Sequence, residues 1–186
     1  HLSGKHNLYN IAAAICVAIE ENISIKNIAK GLNDFQGVGR RFELSKIYLA
    51  DQPHVLIDDY GHHPAEILST ILATKEKFPR KKICMIFEPH RYTRTQQLFY
   101  DFVKVLSKVD FLLLLDIYPA SEKPIRGISS KKIAFQISKN HKNAHYLGIQ
   151  DPIDWLQNNH QNFSILITQG AGTISKLNNE IKKKWQ

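Results

Sequence analysis

Two short strings concentrate the chemistry of this chain. Residues 58–64 read Asp-Asp-Tyr-Gly-His-His-Pro, and residues 89–95 read Pro-His-Arg-Tyr-Thr-Arg-Thr. Each follows an apolar run with the length of a buried strand, Val55-Leu56-Ile57 before the first and Ile83-Cys84-Met85-Ile86-Phe87 before the second. Acids, imidazoles and guanidiniums therefore gather where strands end, the edge at which open α/β sheets bind ligands. That combination suits a phosphorylated, carboxylate-bearing substrate.

In the first string, a carboxylate such as Asp59 can accept two ribose hydroxyls, since it offers two oxygens with several lone pairs. An acid at this point can equally cap the helix that follows. Tyr60, His62 and His63 can hydrogen-bond a substrate or acyl phosphate, or can be structural. Adjacent histidines do not readily face one ion, and no acid stands at the spacing of a metal motif, so no metal site is expected. In the second string, Arg91 and Arg94 lie three residues apart, with His90 before them. If a helix starts near Thr93, both guanidiniums sit around its N-terminus, where free N–H groups attract phosphate or carboxylate. Their planar forks favour bidentate carboxylate contacts. The alternative is a surface salt bridge to Glu88 or Asp101. Two further polar loops, Tyr118–Gly127 and Gln169–Gly172, share the same expected edge.

Other signatures are missing. Gly170-Ala171-Gly172 is not a Walker A loop, because no Gly-Lys-Ser/Thr follows it; Gly4-Lys5-His6 lacks the preceding strand and the spaced glycine. There is no Gly-x-Ser-x-Gly elbow. Cys16 and Cys84 both sit in apolar runs, which predicts buried free thiols rather than nucleophiles, ligands or a disulfide.

The elements that must position these groups follow from periodicity. Asn7–Glu20 and Ile25–Leu32 read as helices, the second capped by Ser24. Gln36-Gly37-Val38-Gly39 reads as a linker. Phe42–Leu49 and His54–Asp58 read as strands joined by a turn at Asp51-Gln52-Pro53. Helices and strands then alternate: helix Pro64–Lys77, strand Ile83–Phe87, helix Thr95–Ser107, strand Phe111–Asp116, and a helix from Ser129 to Asn140. The pattern closes with strand Ala144–Leu147, helix Pro152–Asn159, strand Ser164–Thr168 and helix Thr173–Trp185. This predicts an α/β fold, a mostly parallel sheet with helices on both faces, preceded by a short helical segment.

The 186 residues fit one domain or one domain plus part of another, and 43% hydrophobic content supports a substantial core. The net charge of +8 favours anionic partners. Lys182-Lys183-Lys184 reads as a solvated helix face, and no basic helix with interleaved aromatics suggests nucleic acid. No run is long enough to span a membrane, and no signal peptide is visible, so a cytoplasmic protein without membrane or nucleic-acid partners is expected. The start at His1, directly before a helix, suggests a fragment.

Together, Gly4–Asn10, Gly37–Glu43, Asp58–Pro64, Phe87–Thr95, Tyr118-Pro119-Ala120 and Gly170-Ala171-Gly172 resemble the Mur ligases. The Pro-His-Arg-Tyr-Thr-Arg-Thr string is the most specific and separates one branch from the others and from folylpolyglutamate synthases. The resemblance implies a three-domain enzyme, of which residues 1–36 are the end of the central ATPase domain and residues 37–186 a Rossmann-like C-terminal domain. It implies ATP, with Mg2+ held by the central domain, and joining of L-alanine to the lactyl carboxylate of UDP-N-acetylmuramate through an acyl phosphate. By the same resemblance, Asn7, Asn10, Arg41 and Asp59 contact the nucleotide. Tyr60, His62, Arg91 and Arg94 bind substrate, and His62, His90 and Arg91 serve catalysis. Two departures stand out: Ser121 where Gly is common, and Thr173 where Asn is common. The alternatives are a murein peptide-recycling ligase or a non-catalytic nucleotide-binding module.

Overall fold

The computed structural model describes residues 5–35, 37–140, 143–148 and 151–186. Gly4 and Gln36, and with Gln36 the expected boundary between residues 36 and 37, lie outside them. Two helices come first, α1 (Lys5–Glu20) and α2 (Ile25–Asp34), with the Ser24 hydroxyl accepting from the Asn27 N–H. An antiparallel hairpin follows, β1 (Glu43–Leu49) and β2 (Gln52–Asp59). Then come α3 (Pro64–Lys77), β3 (Ile83–Phe87), α4 (Tyr92–Gln97), α5 (Phe99–Leu106), β4 (Phe111–Leu115), α6 (Ser130–Ser138) and β5 (Ala144–Gly148). The last elements are α7 (Pro152–Asn159), β6 (Ile165–Gln169) and α8 (Ile174–Trp185).

The six strands form one sheet in the order β1-β2-β6-β3-β4-β5. All neighbours are parallel except β1 and β2. Parallel strands covered on both faces need apolar side chains pointing both ways, and the pleat divides them between two cores. Ile83, Met85 and Phe87 enter one core with Ile67, Phe102 and Ile133 from α3, α5 and α6; Cys84 and Ile86 enter the other with Leu156, Ile174 and Ile181 from α7 and α8. The predicted mostly parallel α/β fold with helices on both faces is what forms.

Three expectations change. The predicted helix over Thr95–Ser107 is two helices meeting at Leu98. A bend there lets the adjacent Leu98 and Phe99 both pack against the core, which a straight helix would splay by about 100°. Cys16 is exposed; only Cys84 is buried, and burial pushes its thiol up. The hairpin turn is Ala50-Asp51, and Gln52 and Pro53 already pair with Leu49 and Tyr48.

Ala50 and Asp51 both have positive φ, 46° and 61°. Two-residue hairpin loops need this geometry because its twist matches that of the strands. Aspartate tolerates it, whereas alanine carries a cost of about 1–2 kcal/mol. Ala50→Gly removes that cost, so the variant is expected to melt a few degrees higher; an unchanged or lower melting temperature would mean the turn is not this one.

Candidate functional site

The site is built on the carboxyl ends of β2, β6, β3 and β4. At the end of β2, Asp58 and Asp59 are both buried. Asp58 accepts from Arg40 Nε (3.0 Å) and from Thr168 Oγ1 (3.2 Å), and Arg40 also donates to the Gly170 carbonyl (2.8 Å). Asp59 accepts from the backbone N–H groups of Phe42 (2.9 Å) and Gly61 (2.8 Å) and from Gln169 Nε2 (2.8 Å). Burial pushes the Asp59 carboxyl up, against these donors and Arg41. Three donors on one carboxylate leave it about one acceptor position, not the two that a ribose diol would use.

Asp59 is not the helix cap. That role falls to His63, whose Nδ1 accepts from the Ala65 N–H, and to Glu66, whose carboxylate accepts from the N–H groups of His62 and His63. This is a capping box with histidine in place of the usual hydroxyl. A Cβ at Gly61 would meet Gln169 Nε2 at 2.6 Å and Asp59 Oδ1 at 2.7 Å, so the backbone must run bare past the Asp59 network.

Beyond Asp59 the rings form a row across the strand ends. Tyr60 meets His62 edge-on with centroids 5.5 Å apart, His62 lies 5.4 Å from His90, and His90 stacks on Tyr118 at 5.4 Å. The Arg40 and Arg41 guanidiniums lie 5.5 Å from the Tyr60 ring centroid. Arg94 Nη1 donates to His90 Nδ1 and to the His90 carbonyl, both at 3.3 Å. Burial, with His62, Arg94 and Arg91 nearby, holds the His90 imidazole below its usual range. A proton on Nδ1 would face a guanidinium.

Neither Arg91 nor Arg94 pairs with Glu88 or Asp101. Among the described residues, neither arginine enters any ion pair within 4.0 Å. Glu88 instead accepts from Thr173 Oγ1 (2.5 Å) and the Ile174 N–H (3.1 Å), fastening the start of α8. Thr173, the departure noted above, is thus the Glu88 donor. A Cβ at Gly172 would collide with Glu88 Oε2 and meet the Tyr118 ring at 2.6 Å.

Glu122 was missed by the sequence reading. Its carboxylate accepts from Thr93 N–H (3.0 Å) and Thr93 Oγ1 (2.6 Å), in the first turn of α4. The helix N-terminus expected to attract a substrate anion is therefore already engaged by a carboxylate of the chain itself. The same loops are zipped by Tyr118 N–H to the Pro89 carbonyl and Arg91 N–H to the Tyr118 carbonyl, both at 2.8 Å. Only the acid two residues beyond Tyr118-Pro119-Ala120 could have hinted at this.

The four expected nucleotide contacts, Asn7, Asn10, Arg41 and Asp59, line one cleft of about 760 Å³ between α1, α2 and the start of α3. The expected substrate residues Tyr60, His62, His90 and Arg94 are brought into the ring row, and the Arg91 side chain is exposed beside it. Among the described residues, no group of three or more His, Cys, Asp or Glu side chains could hold a metal ion, and no helix is long and apolar enough to cross a membrane.

Comparison with known proteins fits this edge. The family model described as "Mur ligase, glutamate ligase domain" matches residues 40–172, which include every strand and all four loops. The chain belongs to this Mur ligase family. One relative, a UDP-N-acetylmuramate–L-alanine ligase of Buchnera aphidicola subsp. Baizongia pistaciae, is 43% identical over 185 residues, spanning 95% of this chain and 38% of the relative. Among solved structures, the UDP-N-acetylmuramate-alanine ligase of Thermotoga maritima superimposes with a TM-score of 0.72 at 24% identity, covering 98% of this chain and 38% of that one. A murein peptide ligase of Psychrobacter arcticus gives 0.68 at 19%, covering 98% and 37%. These likenesses show the Mur ligase fold. The chain spans well under half the length of the relatives it matches.

Two outcomes test this geometry. Glu122→Gln keeps the shape but exchanges a charge-assisted acceptor pair for one amide. Its expected effect is faster amide exchange in 91–94 at nearly unchanged global stability; unaltered exchange would remove Glu122 from the site's support. The second concerns His90. Its folded-state pKa lies below the unfolded value of about 6.5, so the unfolded chain binds more protons just below that pH. Stability contributed by neutral His90 is therefore lost as pH falls through about 6.5. Melting temperature should fall less between pH 7.5 and 5 in His90→Gln than in the unmodified protein, and parallel curves would refute the assignment.

Proposed function

We propose that this chain is the C-terminal part of an ATP-dependent ligase that joins L-alanine to UDP-N-acetylmuramate. Residues 1–36 are then the end of the central ATPase domain, and residues 37–186 the closing domain. The observation that carries the reading is the division of one edge into two neighbouring sites. Asn7, Asn10, Arg41 and Asp59 line the larger cleft, and Tyr60, His62, His90 and Arg94 stand together on the adjoining strand ends. The 43% identical relative, named for this reaction, gives the substrates.

The cleft suits ATP. Asn7 and Asn10 occupy neighbouring positions on one face of α1, with Asn10 Nδ2 donating to Asn7 Oδ1 (3.4 Å), and amides can read both donor and acceptor edges of a base. Arg41, held by an exposed 3.5 Å contact to Glu66 and by the face of the Tyr60 ring, can turn toward phosphate. Asp59 keeps about one acceptor position for a ribose hydroxyl. Mg2+ completes the set, with ligands from outside the described residues. When bound, ATP supplies the phosphoryl group that activates the substrate carboxylate.

The residues of this chain position and neutralise rather than attack, which is the larger part of such catalysis. Arg91 is the exposed guanidinium able to grip the alanine carboxylate bidentately. Arg94 is committed to His90 and fixes that ring. His90 Nε2, the donor left once Arg94 holds Nδ1, hydrogen-bonds the reacting carboxyl, and His62, whose Nδ1 donates to the Tyr60 carbonyl, keeps Nε2 to accept the proton that the attacking amine releases. The products leave from an edge exposed to solvent, in a cytoplasmic setting.

The test is alanine- and UDP-N-acetylmuramate-dependent release of ADP by the protein that carries this chain. Arg91→Lys keeps the charge and loses the fork. Because Arg91 enters no ion pair among the described residues, turnover is expected to fall about tenfold or more, equivalent to ~1.4 kcal/mol or more of lost transition-state stabilisation, at an unchanged melting temperature. Near-normal kinetics would take the carboxylate away from Arg91. No ADP release with any combination of these substrates would overturn the reading itself.

A further inference from the structure

The opposite edge of the sheet holds a second cleft. On the face covered elsewhere by α3, α5 and α6, the outward side chains of β1, namely Leu44, Lys46 and Tyr48, are exposed. A cleft of about 480 Å³ lies there, between the hairpin and the end of α3. Strand register explains its walls: Lys46 is opposite Val55, and Val55 is beside Ile165. Leu44, Val55, Phe78 and Ile165 give it apolar sides, and Lys46 and Lys81 are its charged members.

The charge is one-sided. Neither Lys46 nor Lys81 enters an ion pair among the described residues; Lys46 Nζ lies 4.8 Å from the Tyr48 ring centroid instead. Among the described residues, no carboxylate lines the cleft. The nearest acid on the strand, Glu43, is held elsewhere by Lys182 Nζ (2.7 Å) and the Arg40 N–H (3.0 Å). His54 also lines the cleft, but its ring nitrogens are engaged by the carbonyls of Gln52 (2.9 Å) and His160 (3.0 Å), so it is wall rather than ligand. Further cations follow along this edge: Arg80 and Lys82 flank Lys81 in the turn before β3, and Lys75 Nζ donates to the Lys108 carbonyl (2.8 Å). Of the acids nearby, Asp110 is taken up by the Ile83 N–H (2.8 Å), leaving Asp51 and Glu76.

We propose that this cleft binds a small amphipathic anion, one apolar body carrying a carboxylate or phosphate head. The body would lie on exposed Leu44 and half-buried Val55 and Phe78, over the buried Ile165 at the cleft floor. The head would lie at Lys46 and Lys81 and neutralise two ammonium groups that pair with no acid among the described residues. The volume is that of a small-molecule site, roughly 300–1,000 Å³ by survey, and cannot seat a folded partner. The ligand is taken singly from solution, at the edge away from the candidate ligase site, and the proposal does not depend on that site.

Decanoate below its micellar concentration is the probe, followed by calorimetry and by amide NMR shifts of Leu44–Tyr48, Val55 and Lys81. Saturable binding with shifts at these amides is expected. Lys46→Glu combined with Lys81→Glu should weaken it about tenfold, because reversing both charges replaces attraction with repulsion. Both lysines are exposed, so melting should not change. Decyltrimethylammonium should not compete. No saturable decanoate binding, equal binding by the double variant, or equal binding of the cationic amphiphile would overturn the proposal. So would binding only to phosphatidylglycerol vesicles, which would make the basic edge a lipid-surface contact instead.

Discussion

Two adjacent buried carboxylates hold this edge of the molecule together. Successive residues of a strand face opposite ways, so Asp58 and Asp59 collect donors from different sides of β2. Asp58 takes Arg40 and Thr168; Asp59 takes Phe42, Gly61 and Gln169. The chain entering β1, the loop leaving β2 and the end of β6 are thereby tied to one point. The network runs deeper through Asn178, whose Nδ2 donates to Thr168 Oγ1 (2.6 Å), so α8 is tied in as well. Removing one partner of a buried charge costs about 3–5 kcal/mol, far more than an exposed pair, so these contacts cannot loosen one at a time.

That rigidity allows strained backbone to persist. Arg40 and Phe42 both have positive φ, 57° and 54°, beside the donors to Asp58 and Asp59. The second loop pair repeats the arrangement: Arg91, Ala120 and Ser121 have φ of 74°, 48° and 71°, and Glu122 bridges the two loops. Each such residue costs about 1–3 kcal/mol and survives only where its surroundings over-determine it. Ser121 shows why glycine is common at its position: the backbone there is left-handed. In both places a carboxylate fastens a loop that carries guanidiniums.

The sequence carried the strands well, because buried parallel strands are short, apolar and bounded by polar loops. Pro64–Lys77, Ile83–Phe87 and Pro152–Asn159 form over the predicted residues. The same logic placed four polar loops on one edge. What it could not carry was the use of each acid. Asp59 reads equally as a ligand or a cap, but its partner Gln169 is 110 residues away and no local pattern announces it. The cap is His63, a residue type rarely used so, and Glu122 lies in a loop whose partner Thr93 is 29 residues earlier. The break at Leu98 was hidden for the same reason, since only the core decides that Leu98 and Phe99 must both turn inward.

These assignments give the edge its electrostatic character. Asp58, Asp59, Glu88, Glu66 and Glu122 all accept hydrogen bonds from the backbone or from side chains that hold the loops. Their charge is spent on the fold. The guanidiniums of Arg41 and Arg91 are left toward solvent, and His90, its lone pair occupied by Arg94, stays neutral beside Arg91 and Arg94. A third cation there would repel its neighbours, whereas the neutral ring still donates from Nε2. An incoming carboxylate or phosphate therefore meets positive charge and adaptable donors, with no free acid of the chain among the ring-row residues to compete for them. The positive character of this edge is a consequence of how the loops are fastened, because the acids that would oppose it are the ones that hold the site in shape.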